Sequence, residues 1–166
     1  MNTSSFSQFR LRVNVNADIQ DVYNAWATPE GLERWFLRKA LFKDPEGNTR
    51  DKHDLLQTND TYEWYWHGYP DEVVEKGKVI LANGKDTFRF TFSLGCPVNI
   101  SVHKESGETM VELVESELPV DEANVLKHYV GDSRGWIFYL INLKSVLEGG
   151  LDLRNKNENL KDVITS

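Results

Sequence analysis

The chain has 166 residues, 40% hydrophobic and 27% charged, enough for one domain with its own core and too apolar for a disordered segment. Its 19 basic and 26 acidic side chains leave a formal charge of −7, a field that repels nucleic acid and anionic membrane surfaces. No apolar run approaches the roughly 20 residues of a membrane span, residues 1–8 carry no secretory pattern, and the single cysteine, Cys96, excludes an internal disulfide, so a cytoplasmic protein without membrane insertion is expected.

Phe9, Leu11, Val13 and Val15 alternate with polar neighbours, the period of a half-buried strand. Asp18 offers a cap for a helix to about residue 27, with Ile19, Val22, Tyr23 and Trp26 at helical spacing. Thr28 caps a second helix, Pro29 suits its first turn, and Leu32, Trp35 and Phe36 make one buried face. Residues 36–43 then predict a short strand, and residues 44–54, polar and without an apolar period, a mobile loop.

From Thr61 onward, strand-like runs are punctuated by Gly68 with Pro70, Asn83-Gly84, Gly95 with Pro97, and Ser106-Gly107, which predicts an antiparallel meander. Phe88, Phe90, Phe92 and Leu94 share one face, and Tyr62, Trp64 and Trp66 repeat that alternation, so one side of the sheet is strongly aromatic. Trp136, Tyr139 or Leu140, Leu143 and Leu147 predict a helix over 133–148, roughly 24 Å long, stopped by Gly149-Gly150. An earlier helical piece over 121–130 is expected, with Gly131 and Gly135 arguing against continuity. Residues 151–166 read as a tail that lies on the surface or moves.

The stretch V-N-A-D-I-Q-D-V-Y-N-A-W-A-T-P-E-G-L-E-R-W-F, residues 15–36, resembles the opening of the START-like (SRPBCC) superfamily, within it the branch of activators of heat-shock-protein-90 ATPase homologues. Lys76-Gly77-Lys78 with Val79, and Gly135-Trp136 with Leu140 and Leu143, also resemble that family's recurring positions. The resemblance covers about residues 9–148 and implies an α+β helix-grip fold (START/Bet v-like) over a single domain. Such a fold has a curved antiparallel sheet of about six to seven strands around a long C-terminal helix, with two short helices after the first strand. Chaperone cofactors of this family usually carry a further amino-terminal domain, whereas eight residues precede the first strand here.

The chain has no G-x-S-x-G, G-x-x-x-x-G-K-[ST], G-x-G-x-x-G or C-x-x-C motif, and its histidines show no helical ligand spacing. Neither a metal nor a cofactor is therefore expected, and only folding onto neighbouring strands would bring His67 and His103 together. Candidate ligand-binding residues are Trp64, Trp66, Phe88, Phe90, Phe92, Trp136, Tyr139 and Leu140, with Glu112 as the polar anchor. The same residue types would equally build a filled core.

Three functions follow. The first is binding of a small hydrophobic or amphipathic molecule between sheet and helix, and the second, implied by the resemblance, is a chaperone-cofactor-like interaction module. The third is a cyclase- or hydrolase-type enzyme using Glu112, His67 and Tyr62. An exposed sheet edge also suits a homodimer.

Overall fold

A computed structural model describes residues 6–160 and 163–165 of the chain. The beginning of the amino-terminal segment and parts of the tail, positions 1–5, 161, 162 and 166, lie outside the described residues.

The first strand, β1 (Phe9–Val15), is followed by α1 (Ile19–Ala27) and α2 (Pro29–Trp35). Thr28 is the cap expected of it: its Oγ1 accepts from Gly31 N at 2.9 Å. Asp18 caps α1 through its backbone alone, since its side chain makes no cap hydrogen bond. The helix α2 ends where the Phe36 and Leu37 amides both return to Leu32 O, which delays the second strand, β2, to Lys39–Lys43.

Five further strands follow: β3 (Thr61–Tyr65), β4 (Glu75–Ala82), β5 (Thr87–Phe92), β6 (Cys96–Glu105) and β7 (Glu108–Glu115). Successive strands from β2 to β7 pair antiparallel, and β1 adds beside β7, giving one curved seven-stranded sheet in the order β1-β7-β6-β5-β4-β3-β2. The two edges, β1 and β2, are joined by α1 and α2, which cross the inner face; α1 lies against β5 and β6.

A one-turn α3 (Glu122–Asn124), a π-helical stretch (Val125–Val130) and α4 (Gly131–Leu147) follow without a break. Gly131 and Gly135 therefore do not interrupt the helix. Lys144 Nζ donates to Asn14 O at the end of β1, and the Glu148 carboxylate accepts from Asn16 N, so the carboxy end of α4 is tied to the sheet edge. α4 also packs on α2, closing the helical layer over the concave face.

Two expectations are corrected by the structure. Leu94 leaves the aromatic row: with Ser93 and Gly95 it forms the β5–β6 turn at positive φ, and it is exposed. The 44–54 loop is pinned rather than free, because Arg50 forms a two-pronged pair with the fully buried Asp60 at 2.9 and 2.8 Å. Of the two alternatives for the tail, its described part lies against the body: Arg154 is buried and reaches the carbonyl oxygens at the end of α2.

Gly77 on β4 stands opposite Tyr62 on β3, and any Cβ there would collide with the phenol. Glycine at this position lets the ring cross β4 so that its hydroxyl donates to Thr91 O on β5.

Candidate functional site

The middle of the sheet–helix interior is solid. Trp64, Phe88, Phe90 and Leu140 are at most 3% exposed, and their rings close the space: Trp64 lies 5.2 Å from Phe90 and 4.0 Å from Tyr62, centroid to centroid. These four of the expected ligand residues form core instead. Trp26, 4.5 Å from Trp35 and 5.9 Å from Trp136, fills the layer beneath the helices.

An opening remains at the end of the sheet where α4 begins. This cleft, of about 220 Å³, is walled by Phe36, Trp66, Tyr69, Phe92, Trp136 and Tyr139 and floored in part by Asp132. Phe36 holds the group together, with its ring 4.7 Å from Tyr139, 5.1 Å from Trp136 and 5.9 Å from Trp66. Trp66, Phe92, Trp136 and Tyr139 are thus the expected residues that the fold does bring to one opening. A larger hollow of about 530 Å³ at the far end of α4 is lined mostly by polar side chains such as Asn14, Lys104 and Glu148. It lacks the apolar lining that small-molecule sites need.

Glu112 is not in the cleft. It shares the outer face of β7 with Met110 and Val114, where it pairs with Arg10 and lies 3.6 Å from Arg12 Nε. The inner face of that strand carries Thr109, Val111, Leu113 and Glu115. Glu115 is the buried acid: fully enclosed, it accepts from Trp136 Nε1 at 2.9 Å. Burial first, and then the neighbouring Asp132, push its carboxyl up to about 8.

Asp132 and Glu75 complete an acidic cluster around Glu115, of which Asp132 lines the cleft. Burial raises both; Ser93 and His128 pull Asp132 back, and the Ser93 amide, 3.1 Å from Glu75 Oε1, pulls Glu75 back. Ser93 sits at φ 37°, a conformation that aims its amide at Glu75 and its hydroxyl at His128 Nδ1, 2.8 Å away. Glu115 Oε1 and Asp132 Oδ2 have no hydrogen-bond partner while both acids are ionised. Because these two carboxyls interact directly, one proton held between them satisfies both oxygens. Sequence periodicity did not single out Glu115, Asp132, Glu75, Ser93 or His128.

The enzyme candidates are dispersed. Tyr62 has its hydroxyl engaged by Thr91 and its ionisation pushed upward by burial, whereas Glu112 is on the opposite face of the sheet. His67, just past β3, is lowered by burial and by Arg154 and Lys156 of the tail. His103 belongs to β6, separated from β3 by β5 and β4, and pairs with Glu105, so the two histidines do not meet. Among the described residues no group of three or more His, Cys, Asp or Glu is placed to hold a metal ion, and no helix is long and apolar enough to cross a membrane.

The chain is similar in fold to SSP2350 of Staphylococcus saprophyticus (18% identity, TM-score 0.69, 89% of this chain and 96% of that one). It is similar also to the Aha1 dimer of Colwellia psychrerythraea (17%, 0.64, 86% and 97%) and to BH1534 of Bacillus halodurans (20%, 0.61, 85% and 96%). No match was found among the curated proteins. The sequence profile of the Activator of Hsp90 ATPase homolog 1-like proteins matches residues 16–148, spanning both short helices, the meander and the aromatic face of α4. With the helix-grip architecture and the ring-lined opening beside that helix, this match places the chain in the Activator of Hsp90 ATPase homolog 1-like family of the START-like superfamily.

Proposed function

We propose that the protein binds a small amphipathic molecule in the cleft between the Trp66 end of the sheet and the start of α4. The observation that carries this reading is the coincidence of six ring-bearing walls with the carboxyl of Asp132. Apolar burial supplies affinity at about 25 cal/mol per Å², and Asp132 orients the polar end. The volume, about 220 Å³, suits one ring with a short substituent and is too small for a long acyl chain.

Gly135 provides the test. It lines the cleft, a Cβ at this position meets nothing within 4 Å, and leucine favours a helix by close to about 1 kcal/mol over glycine. Gly135→Leu is expected to crowd the cleft and abolish quenching of tryptophan fluorescence by single-ring ligands while leaving the urea midpoint unchanged or higher. Unaltered ligand titration in this variant would remove the cleft as the site.

A second reading, a protein-docking module, is favoured by apolar side chains on the outer surface of the carboxy-terminal helical run. Leu126, Val130, Ile137 and Ile141 are between 38% and 65% exposed and recur at spacings of four, seven and four residues, a stripe along one side. Such a stripe suits a chaperone surface or a second copy. Sedimentation of the protein alone and with the chaperone, compared with Ile137→Asp, checks it: the variant is expected to lose any complex that the parent forms, and a complex that survives in full would exclude this surface.

A further inference from the structure

The polarity of the cleft specifies its guest more closely, on the premise that the cleft is a ligand site. Asp132 lines it and no lysine or arginine does, while the buried Glu115 and the half-buried Glu75 add negative field from behind Asp132. Glu115 is fully buried and shares a proton with Asp132, so the pair keeps one negative charge whose accessible side is the Asp132 carboxyl in the lining. A carboxylate in an apolar wall is costly without a counter-charge, and ring faces present negative charge. One kind of guest answers both: a cation that carries N–H donors or a diffuse positive surface. We propose that the cleft takes a small organic cation, an ammonium joined to a single ring or short alkyl group, with its nitrogen against Asp132 and its apolar part among Trp66, Phe92 and Trp136.

The competing charges do not remove the preference. His128 Nδ1 is 3.6 Å from Asp132 Oδ2 but nearer to Ser93 Oγ, at 2.8 Å, so the imidazole is already engaged. Lys127 lowers Asp132 only behind burial and the contributions of Ser93 and His128. An anionic guest would face the Asp132 carboxylate, and a neutral hydrocarbon would desolvate it without pairing it. A cation instead pairs with Asp132 from the cleft side and leaves the proton between Glu115 and Asp132 in place.

Benzylamine, benzyltrimethylammonium and the neutral benzyl alcohol, titrated at pH 7 and followed by tryptophan fluorescence and ligand-observed NMR, separate the outcomes. The two cations are expected to bind at least about tenfold more tightly than the alcohol, in keeping with desolvated cation–π and charge-assisted contacts. In Asp132→Asn, checked for an unchanged fold by circular dichroism, that advantage is expected to shrink several-fold. If the alcohol binds as tightly as the cations to the unmodified protein, the cation preference is refuted and the ligand site stands. If no probe binds, the ligand site and the cation preference fail together.

Discussion

Arg154→Ala is expected to lower folding stability by about 3–5 kcal/mol, the scale for removing the buried member of an ion pair together with its hydrogen bonds to three backbone carbonyls. For a chain of this length that is a fall of roughly 10 °C in melting temperature. The guanidinium is 3% exposed and uses all its edges. Nη1 donates to Leu37 O at 2.9 Å, Nη2 to Glu33 O and Arg34 O at 3.0 and 2.9 Å, and Nε and Nη2 to Asp152 at 2.9 and 2.7 Å. Two of those carbonyls belong to the last turn of α2, where no intrahelical donor remains and the helix dipole is negative. Asp152 in turn accepts from Asn142 Nδ2 at 3.1 Å, and that same amide group donates to Trp35 O at 2.6 Å.

The alanine variant therefore strands three carbonyls, leaves Asp152 with Lys156 and Asn142 alone, and releases the tail from α2 in one step. Arg154→Lys is expected to remain close to alanine, because a single ammonium cannot reproduce a fork that spans Asp152 and the helix end. Urea melts of the three proteins decide the matter. A loss under about 1 kcal/mol for Arg154→Ala would show that the tail contributes nothing to the fold.

This network marks where sequence reasoning reaches its limit. The order of elements was legible because each carries its own periodic signal: alternating Phe88 and Phe90 on a strand, Trp136, Leu140 and Leu143 on a helix, Thr28 with Pro29 at a helix start. Arg154 has no such signal, since its partners are backbone carbonyls about 120 positions away. β7 was ambiguous for a different reason. Met110 and Val114 make one face of the strand look apolar, Val111 and Leu113 the other, so local alternation could not decide whether Glu112 or Glu115 faces inward. Pairing decides it: β7 lies between β1 and β6, and Val111 stands opposite both Val13 and Val102. The aromatic residues were readable as a group, but whether they line a space or fill one depends on their mutual spacing. Phe36 was absent from the expected site although its ring is central to the cleft, because helical spacing assigned it with Leu32 and Trp35 to a buried face.

Glu115→Gln should flatten the dependence of stability on pH and make the protein more stable than its parent in alkaline solution. In the folded protein this carboxyl titrates at about 8, against an ordinary value of 4.5, so between those two pH values the native state holds a proton that the unfolded chain has released. Stability from this group is therefore fully present below about pH 4.5, declines as pH rises, and is gone above about 8. At roughly 1.4 kcal/mol per pH unit, the whole window amounts to a loss on the order of 5 kcal/mol. Asp132 and Glu75, both raised by burial, add slopes of the same sign, while His128 and Lys127 moderate Asp132. Glutamine at 115 keeps an oxygen for Trp136 Nε1 and turns an amide donor toward Asp132, so the variant needs no proton to hold the pair together. Its stability is expected to match the parent's at pH 5.5 and exceed it by pH 9. Parallel urea profiles for the two proteins across that range would mean that Glu115 is ionised in the native core, and the shared proton beneath the cleft would have to be abandoned.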